Sequence, residues 1–316
     1  MRRPLTIIIV NWNAGALLAS CVASIAEHHC GAVDAVIVID NASRDDSLER
    51  LSRLDMQGLT LRVVRNTRNI GFAAACNEGG RLAGTEYLLF LNPDTRLFAG
   101  SISAPLAYLG ASENEKVGVV GIQLLDDSGG VARSCARFPS VGMWFAAAVG
   151  LNRVGKFRAT GMAMTEWPHD STRTVDHVMG AFFLVRSSVF ERLGGFDERY
   201  FVYFEDVDFS LRVKRLGYDS VYLASAHAFH KGGGSSRQIM AHRLFYSLRS
   251  RLIYGSKHLR PAQRWALLLL TLVIEPITRT GFAMLRGSSA DLRTTWKGYG
   301  MLYRSVLQVL VARSRT

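Results

Sequence analysis

Leu5-Thr6-Ile7-Ile8-Ile9-Val10-Asn11-Trp12-Asn13 is a branched aliphatic run that stops abruptly at amides. It is strand-length rather than helix-length, and apolar at consecutive positions, which suits a strand covered on both faces. The same figure recurs three times. Residues 35–39 end at Asp40-Asn41-Ala42-Ser43, residues 61–64 end near Asn66 and Asn69, and residues 86–91 end at Asn92-Pro93-Asp94. Helix-period segments at 14–27, 45–54 and 72–83 separate the runs. The alternation predicts an α/β fold, a doubly wound and mostly parallel sheet with helices on both faces. Residues 117–121 predict a fifth strand, and 178–185 another with Gly180 inside it, where a ligand or backbone can approach closely. Between them, 126–175 is weakly patterned, as a functional loop would be.

Each strand-like run ends in polar residues, and open α/β sheets bind ligands beyond the carboxyl ends of their strands. Asn11, Asp40, Asn69 and Asp94 are therefore expected around one cleft. Singly, each also reads as a turn or cap residue, and Ser43 is expected to cap the following helix. No Gly-x-Gly-x-x-Gly follows the first run, and no Walker loop is present.

With 316 residues, 48% of them apolar and 20% charged, the chain can bury a sizeable core and is not expected to be disordered. The formal charge of +12 is unevenly placed: residues 228–316 hold 15 Lys or Arg against two acids, Glu275 and Asp291. The four cysteines (Cys21, Cys30, Cys76, Cys135) form no Cys-x-x-Cys spacing, so free thiols in a reducing compartment are expected. Met1-Arg2-Arg3-Pro4 leads straight into the first strand with no small-residue cleavage site, so no signal peptide is expected.

Gly194-Gly195-Phe196-Asp197-Glu198 leads to Phe204-Glu205-Asp206-Val207-Asp208, five carboxylates among aromatic residues. Acids wedged between aromatics lose hydration, and a carboxylate partly out of water has the raised proton affinity of a general base. A helix N-terminus is the plainer reading, since acids in a first turn favour the macrodipole. In Asn92-Pro93-Asp94 the proline fixes the turn, and amide and carboxylate oxygens two residues apart can face a divalent cation. The motif is also a common turn. Of the two histidines near Lys231-Gly232-Gly233-Gly234, His230 is the better ligand candidate, and His227 is expected in the core.

Taken in order, these motifs resemble the GT-A-fold glycosyltransferases of family 2, and among them the bacterial rhamnosyltransferase-like group. The match runs through Asn11-Trp12-Asn13, Asp40-Asn41-Ala42-Ser43, Asn69-Ile70-Gly71, Asn77, Asn92-Pro93-Asp94, Gly180-Ala181, Gly194-Gly195-Phe196-Asp197, Glu205-Asp206 and His230-Lys231, over about residues 5–236. The resemblance implies an inverting, metal-dependent transfer of a sugar from a nucleotide-diphospho-sugar to an acceptor hydroxyl. Asn11, Asp40 and Asn41 would line the nucleotide pocket, with Asn69, Gly71 and Asn77 under the ribose and sugar and Asn92 beside the diphosphate. Asp94 and His230 would hold Mg²⁺ or Mn²⁺. The family's Asp-x-Asp has Asn92 at its first position here, and a neutral amide donates less charge to the ion. Asp206 would be the catalytic base with Glu205 preceding it, and Gly180, Ala181 and Asp208 would meet the acceptor. The donor expected is dTDP-rhamnose, ahead of galactofuranose, glucose or N-acetylhexosamine donors.

The implied organisation is a nucleotide-sugar half (1–100), an acceptor and catalytic half (101–236) and a helical, basic C-terminal region (237–316). Residues 265–274 are apolar for about 15 Å of helix, half a bilayer core, and end at Glu275-Pro276. An in-plane amphipathic region on anionic lipid at the cytoplasmic face of the membrane fits better than a span, and agrees with a polyprenyl-linked or glycan acceptor. The alternative is a helical subdomain packing on the core or on a second subunit as a homodimer. Nucleic acid is not an expected partner, because the charges are interleaved with long apolar runs. Two rival functions remain. A nucleotidyltransferase would need a phosphate-cradling glycine loop that residues 11–15 lack, and a non-catalytic nucleotide-sugar-binding module on a membrane surface has only Asn92 in its favour.

Overall fold

The computed structural model describes residues 3–153, 161–232 and 240–311. In chain order the strands and helices begin with β1 (Leu5–Asn11), α1 (Ala16–His29), β2 (Val33–Asp40), α2 (Ser47–Ser52), β3 (Leu61–Arg65), α3 (Phe72–Leu82), β4 (Tyr87–Leu91) and β5 (Thr95–Leu97). Next come α4 (Ser103–Gly110), β6 (Val117–Leu125), β7 (Cys135–Ala136), α5 (Val141–Ala148), β8 (Arg173–Val175), β9 (His177–Val178), β10 (Phe182–Arg186), α6 (Ser187–Arg192), α7 (Glu205–Arg215) and β11 (Asp219–His230). Four helices close the chain: α8 (Met240–His258), α9 (Pro261–Leu269), α10 (Glu275–Leu285) and α11 (Ser289–Val311).

Two compact units share these elements. One comprises Met1–Phe138, Trp167–Glu198 and Glu205–Ser235; the other comprises Pro139–Glu166, Arg199–Phe204 and Ser236–Thr316. The helical unit thus takes in two earlier segments besides the C-terminal region.

In the first unit a nine-stranded sheet runs β3-β2-β1-β4-β10-β6-β11-β5, with β8 also on β11. The first four strands are mutually parallel, as their unbroken apolar runs require: every residue of β1 and β4 is buried. Strand order reverses between β1 and β4, and the crevice beside their carboxyl ends is where such sheets take ligands. β10 then enters antiparallel to both β4 and β6, which makes the sheet mixed. α1 lays Leu18, Cys21, Val22 and Ile25 into the core at helical spacing, each side chain contributing about 1.5–3 kcal/mol or less by burial.

Three expectations need correction. Residues 178–185 are two strands, because Val178 pairs with Cys135 in a separate ribbon and the chain changes partners across Gly180. His227 is exposed against the Phe98 ring: β11 shifts register between Leu223 and His227, which turns Ala226 and Ala228 inward instead. Ser43 does not cap α2. Its hydroxyl accepts from the Asn11 amide and the Asn13 N–H, and the Asp45 carboxylate takes the Ser47 N–H.

In the helical unit, helical structure runs on from Pro261 to Leu285, through Pro276 and past the end of the apolar run. Pro276 has no N–H to give the carbonyl four residues back, that of Leu272. The Tyr303 hydroxyl of α11 donates to that carbonyl at 2.8 Å instead. Beside it, Leu270–Ile274 opens into a π turn, a common answer to a disturbed helical ladder. Glu275 is buried in the same unit, its carboxylate held by Arg251 and, at 2.9 Å, by Arg279. Burial works to raise its pKa, but the two guanidiniums outweigh this and hold it below the usual glutamate range.

Candidate active site

Parallel register aligns the ends of β1 and β2, so Asn11 lies opposite Asp40. The Asn11 amide donates to Asp40 Oδ1 at 2.7 Å and to the hydroxyls of Ser43 and Ser47, and the Ser43 N–H reaches Asp40 Oδ2 at 3.2 Å. Both side chains are buried, so Asn11 organises the turn that carries Asp40. Asn41 is also buried and donates to the Gly71 carbonyl, while the Gly71 N–H is taken by Asn69 Oδ1 at 2.9 Å. The four amide and carboxylate residues at this corner hold three successive strand-to-helix loops together. Asn77 lies deeper. Its amide accepts from the Phe196 N–H and donates to the Phe196 carbonyl, both at 2.8 Å, which locks α3 to the turn at Gly195. Gly195 has φ 79°, and a Cβ there would stand 2.4 Å from Asn77 Oδ1, so only glycine fits.

Beyond β4, the Asn92 N–H donates to the Ala181 carbonyl at 3.0 Å, which joins the Asn-Pro-Asp turn to the start of β10. Short β5 leaves that turn and pairs with the end of β11, Thr95 opposite His230. This pairing brings Asp94 Oδ1 within 3.3 Å of His230 Nε2, and the Lys231 N–H donates to the Asp94 carbonyl. A carboxylate beside an imidazole fits a divalent transition ion such as Mn²⁺, with further positions left for phosphate oxygens. Among the described residues no group of three or more His, Cys, Asp or Glu forms a closed metal cage.

Asp206 opens α7. Its Oδ2 accepts from the Gly180 N–H at 3.0 Å and lies 3.1 Å from His177 Nε2, and Oδ1 accepts from the Val207 N–H at 2.8 Å. The His177 approach is an ion-pair distance whose angle falls short of an aligned hydrogen bond, and His177 is itself buried. The Asp206 side chain keeps 17% of its surface, enough to meet a solute. Burial raises its proton affinity, but His177 and the two backbone N–H groups more than reverse this, and its pKa lies below the usual aspartate value. The raised affinity expected of the block belongs instead to Glu205. That carboxyl is buried, with Oε2 unpartnered, and burial followed by repulsion from Asp206 pushes its pKa well up. Of the adjacent pair, Glu205 is thus pushed towards its protonated form and Asp206 is held towards its carboxylate form.

Asp208 has no exposed surface and is bonded to Arg212 at 2.7 Å. Arg212 in turn reaches the carbonyls of Leu193 and Gly195. Asp208 thus fastens α7 to the Gly194-Gly195 turn, which corrects its expected place against the acceptor. Gly180 and Ala181 do flank Asp206 and Asn92. His177 is the residue that sequence reasoning missed: it sits in the weakly patterned region, and only the β7–β9 pairing carries it to α7. Lys231 lies at the end of the described stretch, and the rest of the expected loop, Gly233-Gly234-Ser235, lies outside the described residues.

Residues 6–194 match the sequence pattern described as "Glycosyl transferase family 2", and residues 130–311 that of "Glycosyl transferase family group 2". The chain is similar to an N-acetylglucosaminyl-diphospho-decaprenol L-rhamnosyltransferase of Mycobacterium tuberculosis, 30% identical over 251 residues, or 73% of this chain and 79% of that one. It is 29% identical over 187 residues to the rhamnosyltransferase WbbL of Escherichia coli, covering 57% of this chain and 66% of that one. In three dimensions it is similar to the mannosyltransferase PcManGT of Pyrobaculum calidifontis, solved in complex with GDP-Man and Mn²⁺. The TM-score is 0.56 at 16% identity, over 98% of this chain and 88% of that one. At that identity the likeness shows the GT-A fold alone.

Proposed function

Because the chain belongs to glycosyl transferase family 2 and is a glycosyltransferase, we propose that it moves L-rhamnose from dTDP-rhamnose to a hydroxyl of a lipid-linked acceptor, with inversion. The observation that carries the reading is the ionised, partly exposed Asp206 at the sheet edge, beside the Asn92-Pro93-Asp94 turn. Asp206 takes the acceptor proton as the hydroxyl oxygen attacks the anomeric carbon, while the bond to the diphosphate breaks and its electron pair leaves with the phosphate. Asp40, with Asn11 and Asn41 behind it, faces the nucleoside, and Asn69 and Gly71 shape the loop beside it. Asp94 and His230 would hold Mg²⁺ or Mn²⁺, which supplies charge neutralisation for the departing diphosphate.

The names of the rhamnosyltransferase relatives support the donor, and the decaprenol relative supports a polyprenyl-diphosphate acceptor bearing N-acetylglucosamine. A lipid acceptor suits the helical unit. On Pro261–Leu285, Trp265, Leu269, Val273, Ile277, Met284 and Leu285 are exposed, among the basic residues Arg260, Arg264, Arg286, Arg293 and Lys297. By length and composition this stretch is able to cross a membrane. Its opposite flank, with Leu267, Leu270 and the Glu275 ion pairs, is buried by its own unit, which favours adsorption in the plane of anionic lipid.

The test is a thermal-shift panel of dTDP-rhamnose, UDP- and GDP-sugars, each with and without Mn²⁺. The reading expects dTDP-rhamnose with Mn²⁺ to raise Tm most. A larger shift from another nucleotide would overturn the donor. Asp206→Asn should retain that shift and lose transfer at least about 100-fold, within the range general-base catalysis supplies.

A further inference from the structure

The Asp206 carboxylate is asymmetric. Each of its oxygens has about two acceptor sites. Oδ2 accepts from the Gly180 N–H at 3.0 Å and lies at ion-pair distance, 3.1 Å, from His177 Nε2, whereas among the described residues the contact of Oδ1 is the Val207 N–H. Among the described residues Oδ1 is therefore the less crowded of the two oxygens. Among the described residues three titratable groups face this carboxylate: Glu205 from its own helix, Cys76 from α3 and His177 from β9. A carboxyl and a thiol are never cationic, and burial favours the protonated form of both, so neither offers a counter-charge. His177 alone of the three can place a donor proton or a positive charge against Asp206.

We propose that His177 is the positioning residue of the transfer step, gripping Asp206 by Oδ2 so that Oδ1 is aimed at the acceptor hydroxyl. This rests on Asp206 being the base. In the step itself the acceptor proton goes to Oδ1, the oxygen–anomeric carbon bond forms, and the anomeric carbon–phosphate oxygen bond breaks with its electrons on the diphosphate. His177 keeps its own protons throughout. The strand that carries its ring is anchored on both sides. β9 is tied to β7, and the next residue but one, Met179, gives its N–H to the Ser134 carbonyl. On the other side Asp176 accepts from the Phe138 N–H and binds Lys214 of α7, so α7 is held to β9 at a second point.

The experiment compares His177→Ala, His177→Gln and Asp206→Asn in the full chain, with dTDP-rhamnose and a short-chain polyprenyl-diphospho-N-acetylglucosamine. His177→Ala is expected to lower kcat at least about tenfold with the donor KM unchanged. It is also expected to move the acid limb of kcat/KM up by about one pH unit, since an opposite charge near a carboxylate is worth that much or more. His177→Gln, which can still donate to Oδ2, should recover most of kcat but keep the raised acid limb. A merely structural histidine would move neither the limb nor the split between kcat and KM. Wild-type kcat and acid limb in the alanine variant would overturn the proposal. If the alanine variant does not fold, a wild-type acid limb in the glutamine variant overturns it. Asp206→Asn separates the two ideas. If it keeps turnover, the base assignment fails; if it abolishes turnover while the His177 variants behave as wild type, only the positioning role fails.

Discussion

A Cβ added to Gly180 would lie 3.0 Å from Asp206 Oδ2, tighter than ordinary contact, so the carboxylate would have to retreat by a few tenths of an ångström. Gly180→Ala is therefore expected to lower kcat about 10- to 100-fold, because small misplacement of a catalytic group is costly, while Tm barely changes. Glu205 makes the opposite prediction. Its folded pKa is raised, so wild-type stability is full below the ordinary glutamate range and falls as pH rises towards the folded value. Glu205→Gln mimics the neutral acid and should remove that loss. Urea midpoints of the variant and wild type should diverge from pH 5 to 8, with the variant the more stable at the alkaline end, and transfer activity should persist. The family resemblance put Asp206 ahead of Glu205 as the base, but the residues alone do not say which of the two is buried. Adjacent helical residues point about 100° apart, and only the packing of α7 on α3 and β9 decides which faces the core. His177 was hidden for a related reason, since its neighbours in space come from strands of two and two residues with no sequence period.

At the scale of elements, what was legible followed from periodicity. β1, β2, β3 and β4 announced themselves by apolar runs, and the polar ends of those runs did gather along one sheet edge. The compensation for the N–H that Pro276 lacks comes from α11, a distant partner that no pattern near residue 276 reveals. The same stretch holds a buried ion pair, and breaking it by removal of one partner leaves the other charge stranded. Glu275→Ala is expected to cost about 3–5 kcal/mol in chemical unfolding of the helical unit. The sign with pH is also fixed: the carboxylate's folded pKa is lowered, so its contribution is complete above the ordinary glutamate range and is lost as pH falls through the folded value. Wild type and variant should accordingly converge in acid.

For the whole molecule, charge and apolar surface coincide in the helical unit, as the uneven placement of Lys and Arg had suggested. Each basic residue near an anionic surface contributes about 1 kcal/mol, and the exposed side chains add apolar burial. The full chain should co-sediment with vesicles containing phosphatidylglycerol, less so in about 0.5 M salt by roughly the screening expected of surface charges. A Trp265→Glu, Ile277→Glu double variant should bind at least about tenfold more weakly, with Tm and nucleotide shifts unchanged. Equal binding by the double variant would place the contact elsewhere. The π turn at Leu270–Ile274 sets whether such a surface exists at all. In an uninterrupted α-helix, positions four apart precess by about 40° each, so Trp265 and Ile277 would diverge by about 120°. One extra residue in a single turn takes back about 100° of that rotation. The turn thus acts as a phase corrector: it absorbs one residue, so that winding 270–274 into regular α turns at unchanged length would swing Ile277 about 100° away from Trp265 and wrap the apolar stripe around the helix like a screw thread.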